Sequence, residues 1–543
     1  MSSEPRRRGS AARAAALAAV LVLLAMVVAG APTRDEPGRA MVLPYSAPDV
    51  VNPMRGQFEN ILTSLFPQSN EAQAALPDWP GTRDAAIRVT WRSLQPVDPA
   101  SLPSDAADDA RFDFSSIDRA LDEYDARGMR LSLRITTYDS CCDPSPPGGV
   151  NLAVPDWLAA RGDAVERYDR DGVQQVIPAW NSTTYLDAFE ALLGALGRRY
   201  DGDERLAIFE MSGYGDFGEN VLPVLRDDLG RPGPSSEQSE AELGYLSQYQ
   251  DQFITAASAD RLVAANLRAF PRTQMVAAPG NAYIVAQLMR DSPALDGLAH
   301  PVGIRSDCLG VFDTLPTWAI DESSEYVRRS DPIIEVLKDR LRTAPVLAEW
   351  CQLPDGETPV DYYRKALRSV VERHVSMTSS SGFPDQLSDR RMRSDEYALW
   401  RRANVYAGYR YDARAQVDAD ASGVIADVRW TNRGVSSTHE RWTIGYQLRD
   451  AAGRVVATAD SRLDLRDVDT DQDGDAPRPT PASADESVRF ELPEASGRYT
   501  VTAVVAWAEH KAAATTTVDM GPMNLAMPGR DGGPYEIGSV TIR

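Results

Sequence analysis

The sequence predicts a (β/α)8 barrel (TIM barrel) followed by a C-terminal antiparallel β-sandwich. Two observations predict it. Between about residues 50 and 410, short apolar runs with β character alternate with amphipathic helical stretches, giving eight strand runs. After about residue 411 the hydrophobic period changes to two, with turn residues between the runs. An open doubly wound sheet is the alternative arrangement of the same βα units.

Residues 1–31 stand apart from the fold. Arg6, Arg7, Arg8 and Arg13 precede an uncharged apolar run from Ala14 to Ala31, which ends in Ala29-Gly30-Ala31. That is the pattern of a cleavable signal peptide, with an uncleaved anchor as the alternative. Residues 32–49 follow as a linker. No later segment is long and apolar enough to span a bilayer. The expected location is therefore secreted or extracytoplasmic, either soluble or tethered once at the cell surface.

Over residues 50–410 the expected strands are Val51 to Phe58, Ala86 to Trp91, Met129 to Thr136, Leu206 to Met211, Gln274 to Ala278, Val302 to Ser306, Pro345 to Trp350 and Val375 to Thr378. Ser115-x-x-Asp118 resembles a loose capping box. It opens a helix whose buried face is Ile117, Leu121 and Tyr124, and Gly128 closes it. Tyr185, Phe189, Leu192, Leu193 and Leu196 form the next helical stripe. Further helices are expected over Leu246 to Phe270, Tyr283 to Met289, within Glu322 to Leu341, Tyr362 to Arg373 and Tyr397 to Tyr406. From 411 to 543, runs such as Val424 to Thr431 and Tyr499 to Trp507 alternate apolar and polar residues. Ala452-Gly453 and Ser496-Gly497 mark turns, and about seven such runs make a sandwich.

Charge narrows the function. The 57 basic and 79 acidic side chains give a formal net charge of −22, which argues against nucleic acid and anionic membrane surfaces as partners. His300, His374, His439 and His510 are scattered, and no C-x-x-C pair exists. No metal site and no cofactor are expected. The run Asp469-x-Asp471-x-Asp473-Gly474 resembles half a calcium loop, but Thr480 stands where the bidentate Glu belongs, so a solvated acidic turn is expected. Cys308 follows the sixth strand and Cys351 the seventh. Neighbouring strand ends meet disulfide geometry, so these two should bond, leaving Cys141 and Cys142 as a vicinal pair or free.

In such a barrel, chemistry belongs at the C-terminal strand ends. The fourth strand runs into Glu210-Met211-Ser212-Gly213-Tyr214-Gly215-Asp216-Phe217-Gly218-Glu219-Asn220, and the seventh ends Leu347-Ala348-Glu349-Trp350-Cys351. Two carboxylates across a barrel mouth suit glycoside hydrolysis, one protonated as acid and one ionised. Glu349 could instead pair with Arg88, Arg134 or Arg305 and only order the core. On the fourth strand the candidates are Glu210, Asp216 and Glu219.

The chain resembles the clan A glycoside hydrolases. More closely, Asn52-Pro53-Met54-Arg55-Gly56 and Gly213-x-Gly215-x-x-Gly218-Glu219 are similar to a family of secreted bacterial barrels of unknown function related to β-galactosidases, which carry a C-terminal sandwich. The resemblance implies Glu219 as acid/base and Glu349 as nucleophile. Asp216 is the first replacement for Glu219, because it shares the same glycine-rich loop. Where the clan usually shows Asn-Glu, Gly218 precedes Glu219 here.

Trp91, Tyr138, Tyr214, Trp318 and Trp350 lie at or just past strand ends, where they would stack on sugar faces or plug the mouth as core. Asn281 would bond hydroxyls or cap a helix. Arg55 would anchor an anionic sugar, hold Glu349 ionised, or simply line the barrel in an ion pair. The expected partner is a carbohydrate. The expected function is a secreted glycoside hydrolase acting on a poly- or oligosaccharide; the alternative is a non-catalytic carbohydrate-binding or cell-envelope protein on the same barrel.

Overall fold

The computed structural model describes residues 49–61, 71–140, 146–222, 229, 236–247, 252–290, 292–311, 322, 324–469, 480–508 and 522–543. Residues 1–48, which include the expected signal peptide, together with Cys141, Cys142, Trp318 and the acidic run from Asp471 to Gly474, lie outside them. The described residues all belong to one compact unit. No helix among the described residues is long and apolar enough to cross a membrane.

Eight parallel strands close into a barrel. They are β1 (Gly56–Ile61), β2 (Thr82–Thr90), β3 (Arg130–Thr136), β4 (Leu206–Glu210), β5 (Gln274–Ala277), β6 (Gly303–Leu309), β7 (Val346–Trp350) and β8 (Met377–Ser379). Closure pairs Gly56 with Met377 and Phe58 with Ser379. The outer layer is α1 (Ser115–Ala126), α2 (Thr183–Tyr200), α3 (Ala256–Ala269), α4 (Ala282–Met289), α5 (Ile333–Thr343), α6 (Pro359–Glu372) and α7 (Ser394–Tyr406). Their buried stripes, such as Ile117, Leu121 and Tyr124 on α1, pack on the outer strand faces. A small sheet of Val150–Leu152, Val165–Arg170 and Val173–Pro178 is inserted after β3.

Three local expectations change. β1 starts at Gly56, five residues later than expected. Pro53 offers no N–H to a ladder, and Met54 takes a positive φ in a turn, its N–H donating to Asp84. α1 has no side-chain cap from Ser115. Asp113 accepts from the Ser115 N–H at 3.0 Å, and Asp118 engages Arg199 and Tyr200 on α2. The helix expected from Leu246 starts at Ala256, where Thr255 caps it.

The last barrel helix ends at Tyr406 and the first sandwich strand begins at Tyr411. The sandwich has a three-stranded sheet, β9 (Tyr411–Asp420), β10 (Gly423–Asn432) and β13 (Ala482–Phe490). Facing it is a four-stranded sheet of β11 (Trp442–Arg449), β12 (Val455–Asp460), β14 (Gly497–Trp507) and β15 (Tyr535–Ile542). Alternate residues, Val424, Ala426, Val428 and Trp430 among them, fill the core between the sheets. The sandwich packs against the N-terminal ends of the barrel strands. Arg130 at the start of β3 pairs with Glu440 at 2.6 Å, and Tyr409 donates to the Pro53 carbonyl.

Candidate active site

Strand alternation builds the site. Side chains two residues apart on a strand share a face. Phe58, Ala86, Ile208 and Leu347 fill the barrel interior together with Val276 and Met377. Two residues nearer the C-terminal ends, the same strands carry Asn60, Arg88, Glu210 and Glu349. Arg134 on β3 and Arg305 on β6 complete the layer. An apolar plug thus supports a charged layer at the mouth.

The charges are interlocked. Glu210 accepts from Arg134 Nε and Arg305 Nη1, each at 2.6 Å. Glu349 accepts from Asn60 Nδ2 at 2.8 Å and is ion-paired with Arg305. Arg88 Nη2 stands between two acids, 3.9 Å from Glu349 and 4.0 Å from Glu219. Arg134 Nη1 donates to Glu219 at 3.0 Å. Glu349 therefore has the guanidinium partners that the core reading expected, yet it also meets other acids. One carboxylate oxygen each of Glu219, Asp307 and Glu349 lie within 4.8 Å of one another. Their side chains are 14, 27 and 11% exposed, against 4% for Glu210, so solvent reaches the trio rather than Glu210. The positive charge such a cluster needs comes from Arg88, Arg134 and Arg305.

Glu219 reaches the mouth because its loop folds back. Gly213 takes φ +105°, and a Cβ there would lie 2.3 Å from the Phe189 ring; one at Gly215 would lie 2.6 Å from the Val221 nitrogen. The glycine spacing serves this tight path. Asp216 anchors the loop, accepting from the Ser140 N–H at 2.8 Å and from the Ser140 hydroxyl. Phe217 N–H donates to the Tyr138 carbonyl, Arg134 donates to the Phe217 carbonyl, and Asn220 donates to the Ala278 carbonyl.

Protonation follows from this crowding. Burial, and then the Asp307 charge, push the Glu219 carboxyl well above its ordinary range, against the pull of Arg134 and Arg88. Burial and the nearby Glu349 raise Asp307 to about 6. Burial raises Glu210, opposed by Arg134, and raises Asp216 to about 6, opposed by its bonds from Ser140.

The other candidates are dispersed. Arg55 sits at the N-terminal end of β1, buried, and donates to Asp49 and to the carbonyls of Val405 and Ala407. It lies at the opposite end of the barrel from Glu349. Asn281 caps α4, accepting from the Ile284 N–H, and donates to Tyr245 and Gln252. Trp91 is fully buried edge-on against Tyr185 and Phe189, and its N–H donates to Gln95. Tyr214 is buried against Trp180, and Trp350 against Tyr363 and Trp400. Tyr138 is buried with its hydroxyl 2.8 Å from that of Tyr168. None of these four rings has an open face for a sugar. Asp216 is the loop's anchor and stands outside the carboxylate trio. Sequence reasoning missed Asn60, Asp307 and Phe217, whose ring faces Arg88 at 5.6 Å. Cys308 and Cys351 are disulfide-bonded, with Cα atoms 4.6 Å apart.

No protein-family model matches the chain, and no curated protein matches it in sequence. The chain is similar to solved glycoside hydrolases. With the endo-β-1,4-glucanase of Xanthomonas axonopodis pv. citri it shares 12% identity over 66% of this chain and 99% of that one, at a TM-score of 0.30. With the endo-1,4-β-mannanase of Rhizomucor miehei it shares 11% identity over 67% and 98%, at 0.33. With a β-galactosidase of Marinomonas ef1 it shares 13% over 60% and 55%, at 0.29.

Proposed function

We propose that the protein is a glycoside hydrolase acting outside the cytoplasm on a poly- or oligosaccharide by a two-carboxylate mechanism. The observation that carries this proposal is the approach of Glu219 and Glu349 to within 4.8 Å at the C-terminal mouth of the barrel. A separation of about 5 Å suits a retaining pair, whereas an inverting pair needs about 6.5–9.5 Å to admit water. Glu219, held protonated by burial and by Asp307, donates to the glycosidic oxygen. Glu349, oriented by Asn60 and faced by Arg305 and Arg88, attacks the anomeric carbon. Water then enters, gives its proton to Glu219 and releases the sugar with its configuration kept. The Arg-led apolar segment before Ala31 and the Cys308–Cys351 bond support an extracytoplasmic location.

A second reading is a carbohydrate-binding barrel without turnover. It is favoured by the ion pairing of Glu349 and by the burial of Trp91, Tyr138, Tyr214 and Trp350. One experiment separates the two. The mature protein is incubated with aryl glycosides and with β-glucan, β-mannan and galactan polymers, and a 2-fluoro glycoside is used to trap an intermediate. Turnover, with mass added at the peptide holding Glu349, supports the hydrolase. Polymer binding with no product and no adduct supports the binding protein.

A further inference from the structure

Arg305 and Asp307 lie two apart on β6, so both face the barrel interior. Asp307 is the one whose partners do not satisfy it as an anion. Its Oδ1 is buried with no hydrogen-bond donor among the described residues, and the nearest guanidinium nitrogen, Arg305 Nε, is 3.6 Å away. A buried carboxylate oxygen left this way is costly. A carboxylate oxygen of Asp307 lies within 4.8 Å of one of Glu219. Two carboxyl groups this close and this buried repel unless one of them carries a proton.

The surrounding charges call for that proton. Facing the pair are Arg88 from β2, Arg134 from β3, Glu210 from β4, Arg305 from β6 and Glu349 from β7, with neutral Asn60 from β1. Among the described residues, four carboxyls against three guanidiniums leave one negative charge in excess, which a single proton cancels. The pair is also held in place by a covalent tie. Cys308 follows Asp307 and Cys351 lies two past Glu349. Their disulfide joins β6 to β7 where the ladder shifts register between Ala348 and Trp350.

We infer that Asp307 is a positioning residue that shares one proton with Glu219 and so keeps the acid loaded beside Glu349. The inference rests on the hydrolase proposed above. The proton passes from the pair to the glycosidic oxygen as the bond to the anomeric carbon breaks and a Glu349 oxygen bonds to that carbon. Both members of the pair are then anionic, next to Arg134 and Arg88. In the second half, water gives its hydroxyl to the anomeric carbon and its proton back to the pair, and Glu349 leaves.

The test compares D307N with the unmutated protein and with E219Q. Removing the like charge should bring the alkaline limb of kcat/KM down by about one pH unit or more, while D307E keeps it. An unmoved limb in D307N overturns the inference. Should D307N fail to fold by circular dichroism, D307A, which removes the charge with a smaller side chain, carries the same comparison. Infrared spectroscopy gives a readout that needs no turnover. The unmutated protein should show a protonated carboxyl band at neutral pH that disappears in both E219Q and D307N. With that band pattern and no hydrolysis of any glycoside, the shared proton stands and the hydrolase falls. A band that survives in D307N overturns the shared proton whatever the activity.

Discussion

The two ends of the barrel are built from the same kinds of residue and do different things. At the N-terminal end, Arg55 pairs with Asp49 at 2.9 Å, Arg410 lies 3.8 Å from Asp49, and Arg130 pairs with Glu440 while also lying over the Trp507 ring. At the C-terminal end, Arg88, Arg134 and Arg305 face Glu210, Glu219, Asp307 and Glu349. The floor acids meet arginines across a seam that the sandwich closes, since Glu440 and Trp507 belong to it. The mouth acids meet one another as well, and among the described residues none of the sandwich pairs with them. Acid against arginine in a sealed seam orders a fold. Acid against acid with solvent access holds a proton that can be used. The same division is the general one for these barrels, with chemistry at the C-terminal face and stability at the other.

The largest expected effect tests the mouth. Glu349→Gln should lower turnover by about 10⁴-fold or more, and Glu219→Gln by about 10²–10⁴-fold, the usual worth of a general acid. Neither should lower the melting temperature much, because the isosteric amide keeps the packing. If either variant retains full turnover under steady-state assay, that residue is not part of the chemistry. The floor should answer the other way. Glu440→Ala removes one carboxylate from buried Arg130, with Asp84 still beside it, and should cost about 3 kcal/mol in denaturant unfolding with kcat unchanged. A floor variant that lost turnover at constant stability would erase the distinction between the two ends.

A smaller effect is expected from the loop that connects chemistry to scaffold. Asp216→Ala removes the acceptor for the Ser140 N–H and hydroxyl. It should cost about 1–3 kcal/mol locally and lower kcat about tenfold, because Glu219 loses its fixed approach. The readout is kcat against KM. If Asp216 were itself the acid, the loss would match that of Glu219→Gln.

How much of this was legible in the sequence depends on strand parity. All eight barrel strands were visible as apolar runs between helical stripes, and Glu349 stood out as an acid at the end of the seventh, while Glu219 was one of three acids after the fourth and was singled out by the family resemblance. The errors are errors of register. Setting the first strand at Val51 to Phe58 put Arg55 near the mouth; the strand runs from Gly56, so Asn60 is there instead. Ending the sixth strand at Ser306 cut off Asp307, although Arg305-x-Asp307 already has the spacing of one strand face. Parity also decides the aromatics. Trp350 is adjacent to inward-facing Glu349, so its ring turns outward into the helix layer, whereas Trp91 lies past β2 in the helical turn Trp91–Leu94 and packs on Tyr185 and Phe189. Composition cannot supply this, because an aromatic at a strand end suits either face. The loop anchor, Asp216 on Ser140, joins residues 76 apart in sequence, and no local pattern marks such a pair.

The smallest expected effect isolates one floor acid by its titration. Asp84 is buried at the start of β2, and its carboxylate accepts from the Met54 N–H at 2.7 Å. Burial raises it from 3.8 to about 6, against the pull of Arg130 and of that hydrogen bond. The folded chain therefore binds this proton more tightly than the unfolded chain does. Its contribution to stability is present in full below about pH 4 and is lost as pH rises toward 6. Glu219, Asp307 and Glu210 at the mouth are raised too, so the bare pH dependence of melting mixes both ends. Asp84→Asn separates them, since an amide has the same shape and accepts the same bond at every pH. Melting curves taken every half unit between pH 4 and pH 7 should show the unmutated protein losing stability relative to the variant across that window. The pH profile of kcat/KM should coincide for the two proteins. Parallel melting curves would mean that Asp84 stays ionised in its seam, paired with Arg130, and that the proton-holding acids of this barrel are confined to its mouth.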